Sequence, residues 1–140
     1  AEALRGKPMN AVGSADVERD GIYVPDAMRT AIEVASRPAA FGQRWIVPGS
    51  GPMSARALAE ICGGILGRRV RVQSAGPVLL WIASRFDSEL RAFLPMTPHY
   101  ARPIAFDGAK LAGLIGEPRR TPWPEAVRAT LDWLRSQRAD

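Results

Sequence analysis

Apolar positions along this chain recur with helical spacing in some stretches and cluster as short β-prone runs in others. Met28, Ala31, Ile32 and Ala35 fall at i, i+3, i+4 and i+7, which predicts a helix with one apolar stripe turned inward. Just before it, Ile22 to Val24 is short, β-branched and aromatic, as a strand would be, and Pro25 would end that strand. Asp26 is then the expected N-cap, because its carboxylate can accept a hydrogen bond from a free first-turn N–H and suits the positive end of the helix dipole. Strand, capped turn and core helix together form the stretch around which the rest is arranged, with the charged pair Arg19-Asp20 at its mouth.

Elsewhere the same signals alternate. Ala1 to Leu4 reads as the tail of a helix ended by Gly6 and Pro8, a start that suggests missing sequence upstream. Met9 to Val12 reads as a strand that forms a ribbon or hairpin with the Ile22 strand. Arg44 to Val47 is expected as a buried strand, Ser54 as the cap of a helix carrying Leu58, Ile61, Cys62, Ile65 and Leu66, Gly67 as its stop, and Val70 to Val72 as the next strand. That order is a βαβ unit with a right-handed crossover. Val78 to Phe86 is apolar and helical in character, and Asp87 to Leu94 continues or restarts that helix. The run holding Pro95, Pro98 and Pro103 should be irregular. Asp107 is a further expected cap, and a last helix begins between Thr121 and Pro124, turning Val127, Leu131 and Leu134 inward.

Composition narrows this picture without changing it. A chain of 140 residues with 46% apolar content is one unit, residues 1–140, able to bury a core. Net charge is +5, and 17 of the 19 basic residues are arginine, whose fork fits carboxylate and phosphate. These arginines are mostly scattered, as on a solvated surface. The lone Cys62 excludes an internal disulfide and a cysteine-based zinc site, and it lies among apolar neighbours at helical spacing. The single histidine, His99, gives metal binding little support. No signal peptide opens the chain, and Val78 to Ala83 is far shorter than the ~20 residues of a membrane span, so a cytoplasmic location is expected. The tryptophans, Trp45, Trp81, Trp123 and Trp133, are dispersed and read as core or interface anchors rather than a nucleic-acid stacking platform.

Motifs for chemistry are sparse. Gly49-Ser50-Gly51-Pro52-Met53-Ser54 stands between an expected strand and a helix, the setting of a dinucleotide turn. It departs from that pattern: Ser54 replaces the third glycine, Pro52 removes a donor, and no acidic residue closes the following strand, where Arg71 could instead meet a 2′-phosphate. A capped structural turn accounts for it better. Neither lysine has a tyrosine four positions before it, and Ser54 lacks a nucleophile elbow. No catalytic residue, cofactor-binding residue or metal ligand is assigned.

Four stretches taken in order carry a resemblance. Arg19-Asp20-x-Ile22-x-Val24-x-Asp26, Gly49 to Ser54 before Ala57-Leu58-Ala59-Glu60, Phe106-Asp107-Gly108-Ala109-Lys110, and Thr121 to Trp133 are similar to the C-terminal half of an extended short-chain dehydrogenase/reductase. That family includes the NAD-dependent epimerase/dehydratases acting on nucleotide sugars, and the likeness spans about Ala1 to Gln137. It implies an α/β fold class, the C-terminal part of a Rossmann-type fold: a few strands with a βαβ unit plus a small, mostly helical substrate-binding lobe. The family's glycine-rich cofactor turn and Tyr-x-x-x-Lys pair are absent from this sequence. The resemblance therefore implies the substrate-binding portion of an NAD- or NADP-dependent oxidoreductase, not catalytic alone, whose partner is a missing N-terminal Rossmann half.

The resemblance also implies site residues. Arg19 matches an arginine that contacts a substrate diphosphate, although it could equally pair with Glu18 or Asp20 at the surface. Arg102 stands where a second substrate-facing arginine is expected, at a shorter distance from Asp107 than in nucleotide-sugar members. Tyr100 and His99 share its proline-bounded loop and could line the pocket or simply pack on the surface. The substrate expected is a small molecule, phosphorylated or sugar-linked. An alternative is a small basic module for nucleic acid or an anionic partner, and a third reading is a homodimer through Val78 to Leu94.

Overall fold

The computed structural model describes residues 1–100 and 102–137, without the side chains of Pro77, Leu79, Ala83, Phe93, His99 and Tyr100. Its core lies where helix α2 (Ala55–Leu66) packs on helix α7 (Trp123–Ser136). Cys62, Val127 and Leu131 are buried there with Ala3, and Leu58, Ile61, Ile65, Leu66, Met9 and Val70 close around them. Local chemistry sets the bounds of α2. Ser54 Oγ accepts from the Ala57 amide at 3.1 Å, and Gly67 ends the helix at φ 64°, a conformation that only glycine adopts without strain. Burial pushes the Cys62 thiol up, which agrees with its reading as a small core hydrophobe.

Four short strands form two separate ladders. Strand β1 (Met9–Val12) runs parallel to β4 (Val72–Ala75), with Met9 opposite Val72, and β2 (Arg19–Asp20) runs antiparallel to β3 (Pro52–Met53). The expected hairpin between Met9–Val12 and the Ile22 segment does not form. The strand expected at Val70 to Val72 lies a little later, with the Arg71 carbonyl accepting the Met9 amide at 2.9 Å just ahead of it. Residues 44–47 belong to no ladder, so the expected βαβ unit lacks its first strand.

The segment after Asp20 departs most from expectation. Ile22 to Val24 is not a strand: helix α1 (Val24–Ala35) begins at Val24 with Tyr23 as its cap. Pro25 sits in the first turn, where its missing N–H costs nothing and its fixed φ suits a helix, so it starts this element rather than ending a strand. Asp26 is not the N-cap. It is 1% exposed and accepts from the Thr121 amide at 2.7 Å and from Arg29 at 3.0 Å. Burial alone would raise its pKa, but the Thr121 hydrogen bonds and the Arg29 and Arg119 charges hold it below the ordinary carboxylate value. With Asp26 tied inward, Thr30 follows it one turn later, and the apolar stripe faces out: Val24 is 67% exposed, Met28 55% and Ile32 72%.

Beyond β4 come three short helices, α3 (Pro77–Ala83), α4 (Ser88–Phe93) and α5 (Thr97–Tyr100). Asp87 restarts the chain as a helix by accepting from the Glu89 and Leu90 amides. Helix α5 occupies part of the expected irregular run, because Pro98 falls in a first turn that needs no donor. Helix α6 (Ala109–Ile115) buries Leu111, and Asp107 accepts its first amide at 2.8 Å from one residue before the cap. Of the tryptophans, Trp45 and Trp123 are anchored through their ring N–H groups to the Ala40 and Gly51 carbonyls, while Trp81 and Trp133 are exposed. Among the described residues no helix is long and apolar enough to cross a membrane.

Candidate functional site

Of the residues that sequence singled out, Arg19 lies in the short ribbon β2–β3. Arg19 pairs with Met53 on one side and by an isolated parallel bridge with Ile104 on the other, and the Asp20 amide donates to the Ile104 carbonyl at 2.7 Å. Arg102 lies two residues before Ile104, so this bridge joins the Arg19 strand to the segment that carries Arg102. Arg19 is half-buried in its strand and Arg102 is exposed. His99 and Tyr100 end helix α5 just ahead of Arg102, and their side chains lie outside the described residues.

Asp20, Gly49 and Ser50 hold this ribbon in place, an anchoring role that the sequence, which placed Gly49 and Ser50 in a structural turn, did not assign them. The Gly49 amide donates to Asp20 Oδ2 at 3.0 Å, and the Ser50 amide donates to the Gly21 carbonyl at 2.8 Å. A Cβ at Gly49 would lie 2.1 Å from that same carbonyl oxygen, so no other residue fits there. Asp20 Oδ1 and Ser50 Oγ are buried without a hydrogen-bond partner among the described residues. The available signal was the adjacency of Asp20 to Arg19 and the Pro48-Gly49 step. Beside the ribbon a cavity of about 360 Å³ is lined by Asp20, Gly49, Phe106, Asp107, Glu117 and Arg120.

These contacts decide the fate of the glycine-rich turn. A dinucleotide cradle needs free backbone amides aimed at a pyrophosphate. Here the amides of Gly49 and Ser50 are already used, and Pro52–Met53 is committed to β3. The turn does not fit a nicotinamide cofactor, and it reads as the structural joint that pins β2 to the start of α2.

A second concavity, about 800 Å³, opens onto the core between the start of α1 and α7. Met9, Ile22, Tyr23, Leu58, Val127 and Leu134 are among its walls, and the exposed α1 stripe begins at its rim with Val24.

No protein-family model matches the sequence, and no curated protein matches it either. Solved structures do. The UDP-glucuronic acid 4-epimerase of Bacillus cereus, in complex with NAD, superposes with a TM-score of 0.69 at 16% identity, over 97% of this chain and 37% of its own. This chain has the fold of part of an epimerase. A candidate epimerase from Burkholderia cenocepacia J2315 gives a TM-score of 0.61 at 20% identity, over 96% of this chain and 39% of its own. A mutant of the Bacillus enzyme, in complex with UDP-4-deoxy-4-fluoro-glucuronic acid and NAD, matches over 97% and 38% with a TM-score of 0.69. The chain thus spans under two-fifths of the length of these structures. At the level of fold they agree with the resemblance carried by the four sequence stretches.

Proposed function

We propose that this chain is the substrate-binding portion of an NAD(P)-dependent epimerase/dehydratase and does not turn over alone. The observation that carries this reading is the fold match, nearly complete for this chain and well under half for its neighbours. In the assembled enzyme NAD or NADP supplies the hydride chemistry from a Rossmann portion outside these residues. This chain's part is to orient the substrate. Arg19, and Arg102 two residues before its bridge partner Ile104, are the residues assigned to the phosphate oxygens of a nucleotide-sugar-like substrate, which a guanidinium fork fits. His99 and Tyr100, which adjoin Arg102 in sequence, belong to the same reading as further candidates for the substrate side.

The outward α1 stripe supports a missing partner portion. Val24, Met28 and Ile32 form a row of apolar side chains in water, and the β-prone residues 44–47, with Ile46 54% exposed, lack a ladder. Both fit the edge of a larger sheet and the helix that covers it.

Two assays test the proposal. With NAD or NADP and a UDP-sugar, the 140 residues alone should show no turnover, and nicotinamide-dependent turnover by them would overturn the division of labour. In the active, assembled enzyme, Arg19→Ala should raise KM for a UDP-sugar by about tenfold, the loss of one charge-assisted hydrogen bond, with little change in kcat. An unchanged KM would remove Arg19 from the substrate site.

A further inference from the structure

Four of the arginines, Arg56, Arg68, Arg69 and Arg71, meet at one edge of the fold. Arg68-Arg69-Val70-Arg71 links Gly67, which ends α2, to β4. The Arg68 amide donates back to the Gly63 carbonyl at 3.2 Å. Gly63 permits this, since a Cβ there would lie 3.0 Å from the Arg68 carbonyl oxygen. The link is thereby laid against the face of α2 that carries Arg56, Glu60 and Gly63 at i, i+4 and i+7. On its other side the Arg71 carbonyl holds the Met9 amide, which brings Lys7 and Pro8 alongside.

Two concavities share this link as a common wall. One, of about 560 Å³, has Arg56, Glu60, Arg68, Arg69 and Arg71 among its lining residues; the other, of about 270 Å³, has Lys7 with Arg68, Arg69 and Arg71. Not every cation here is available. Arg56 is held by Asp16, and Arg68 spends its Nη2 on the Ala3 and Leu4 carbonyls at 2.6 and 3.1 Å, keeping its charge but not all its donors. The side chains of Lys7, Arg69 and Arg71 are exposed and make no hydrogen bond or ion pair among the described residues. Glu60 is the single acid lining either concavity.

We propose that this edge binds a compact soluble polyphosphate, such as the di- or triphosphate group of a nucleotide, with Arg69 and Arg71 as the principal ligands and Lys7 and Arg68 adding charge. Guanidinium forks match phosphate oxygens, and the half-buried Val70 and Val72 give the larger concavity an apolar floor beside its cations. The cations converge on the two sides of one four-residue link instead of running in a stripe. That shape favours a short polyanion over a nucleic-acid strand, whose backbone needs an extended basic track.

Calorimetric titration of the protein with inorganic triphosphate tests this. One saturable site is expected. The double substitution Arg69→Ala with Arg71→Ala should weaken it at least about tenfold, as loss of charge-assisted hydrogen bonds would. Arg69→Lys with Arg71→Lys, which keeps the charge and loses the forks, should weaken it less. Arg128→Ala, an exposed charge on α7, should leave it unchanged, and thermal unfolding of all three should match the parent because these side chains are exposed. The proposal is overturned by absence of saturable binding, or by equal affinity in the double alanine variant. A short single-stranded oligonucleotide that bound more tightly than triphosphate, with the steep salt dependence of many phosphate contacts, would also overturn it.

Discussion

Helices α1 and α7 carry apolar stripes of similar spacing, and the protein turns them in opposite directions. On α7, Val127 and Leu131 are buried against α2. On α1, Val24, Met28 and Ile32 face water, and the buried positions are Asp26 and Thr30. What separates the two is a single long-range partner. Thr121 offers an amide that Asp26 can take, and a buried carboxylate with partners waiting fixes the rotation of its helix. Periodicity reveals that a helix has an apolar side; which way that side points depends on groups far off in sequence.

The largest expected effect tests the buried side. Leu131→Ala should cost about 2–5 kcal/mol, read as a lower denaturant midpoint, because it opens a hole between α2 and α7. A cost below 1 kcal/mol, on the order of an exposed-site change, would mean that α7 is not a core helix.

Next comes the group that turns α1. Asp26→Ala leaves the Thr121 amide without its acceptor and should cost about 1–3 kcal/mol. Acid should erode the same contribution. The folded pKa of Asp26 lies below the ordinary value of 3.8, so its stabilisation is complete above that value and is lost as pH falls through the folded one. The stability gap between the parent and Asp26→Asn should therefore narrow below about pH 4. A gap that stayed constant down to pH 2 would show that the charge of Asp26 is not what holds α1.

Smaller still, Ser54→Ala should cost about 0.5–2 kcal/mol by freeing the Ala57 amide at the start of α2. The smallest effect is the sharpest contrast with Leu131. Ile32→Gln should change the stability of the 140 residues by no more than about 0.5 kcal/mol, since the side chain is already in water. A loss comparable to that of Leu131→Ala would place the α1 stripe inward after all.

Much of the fold was readable where local chemistry decides it. Ser54, Gly67, Met9 to Val12 and the α7 stripe all do what their residue types suggest. Elements that depend on a distant partner were not readable. The Ile22 and Trp45 segments have strand-like composition but share no sheet, which taken alone speaks against the family resemblance. The fold as a whole nonetheless matches part of an epimerase, and α1 leaves its apolar row exposed. Of the candidate site, Arg19 is bridged to Ile104, two residues beyond Arg102, a contact that no local pattern encodes. The anchoring by Asp20 and Gly49 was hidden for the same reason: it joins residues 29 apart.

The parallel ladder of β1 and β4 has a consequence for synthesis. Met9 must wait for Val72, so β1 leaves the ribosome long before its β4 mate exists. Everything between them, including β2, α1 and α2, is translated while that strand is still an open edge. Such delayed closure is where nascent chains stray into aggregates, and chaperone demand should be greatest in the interval before Ala75 emerges.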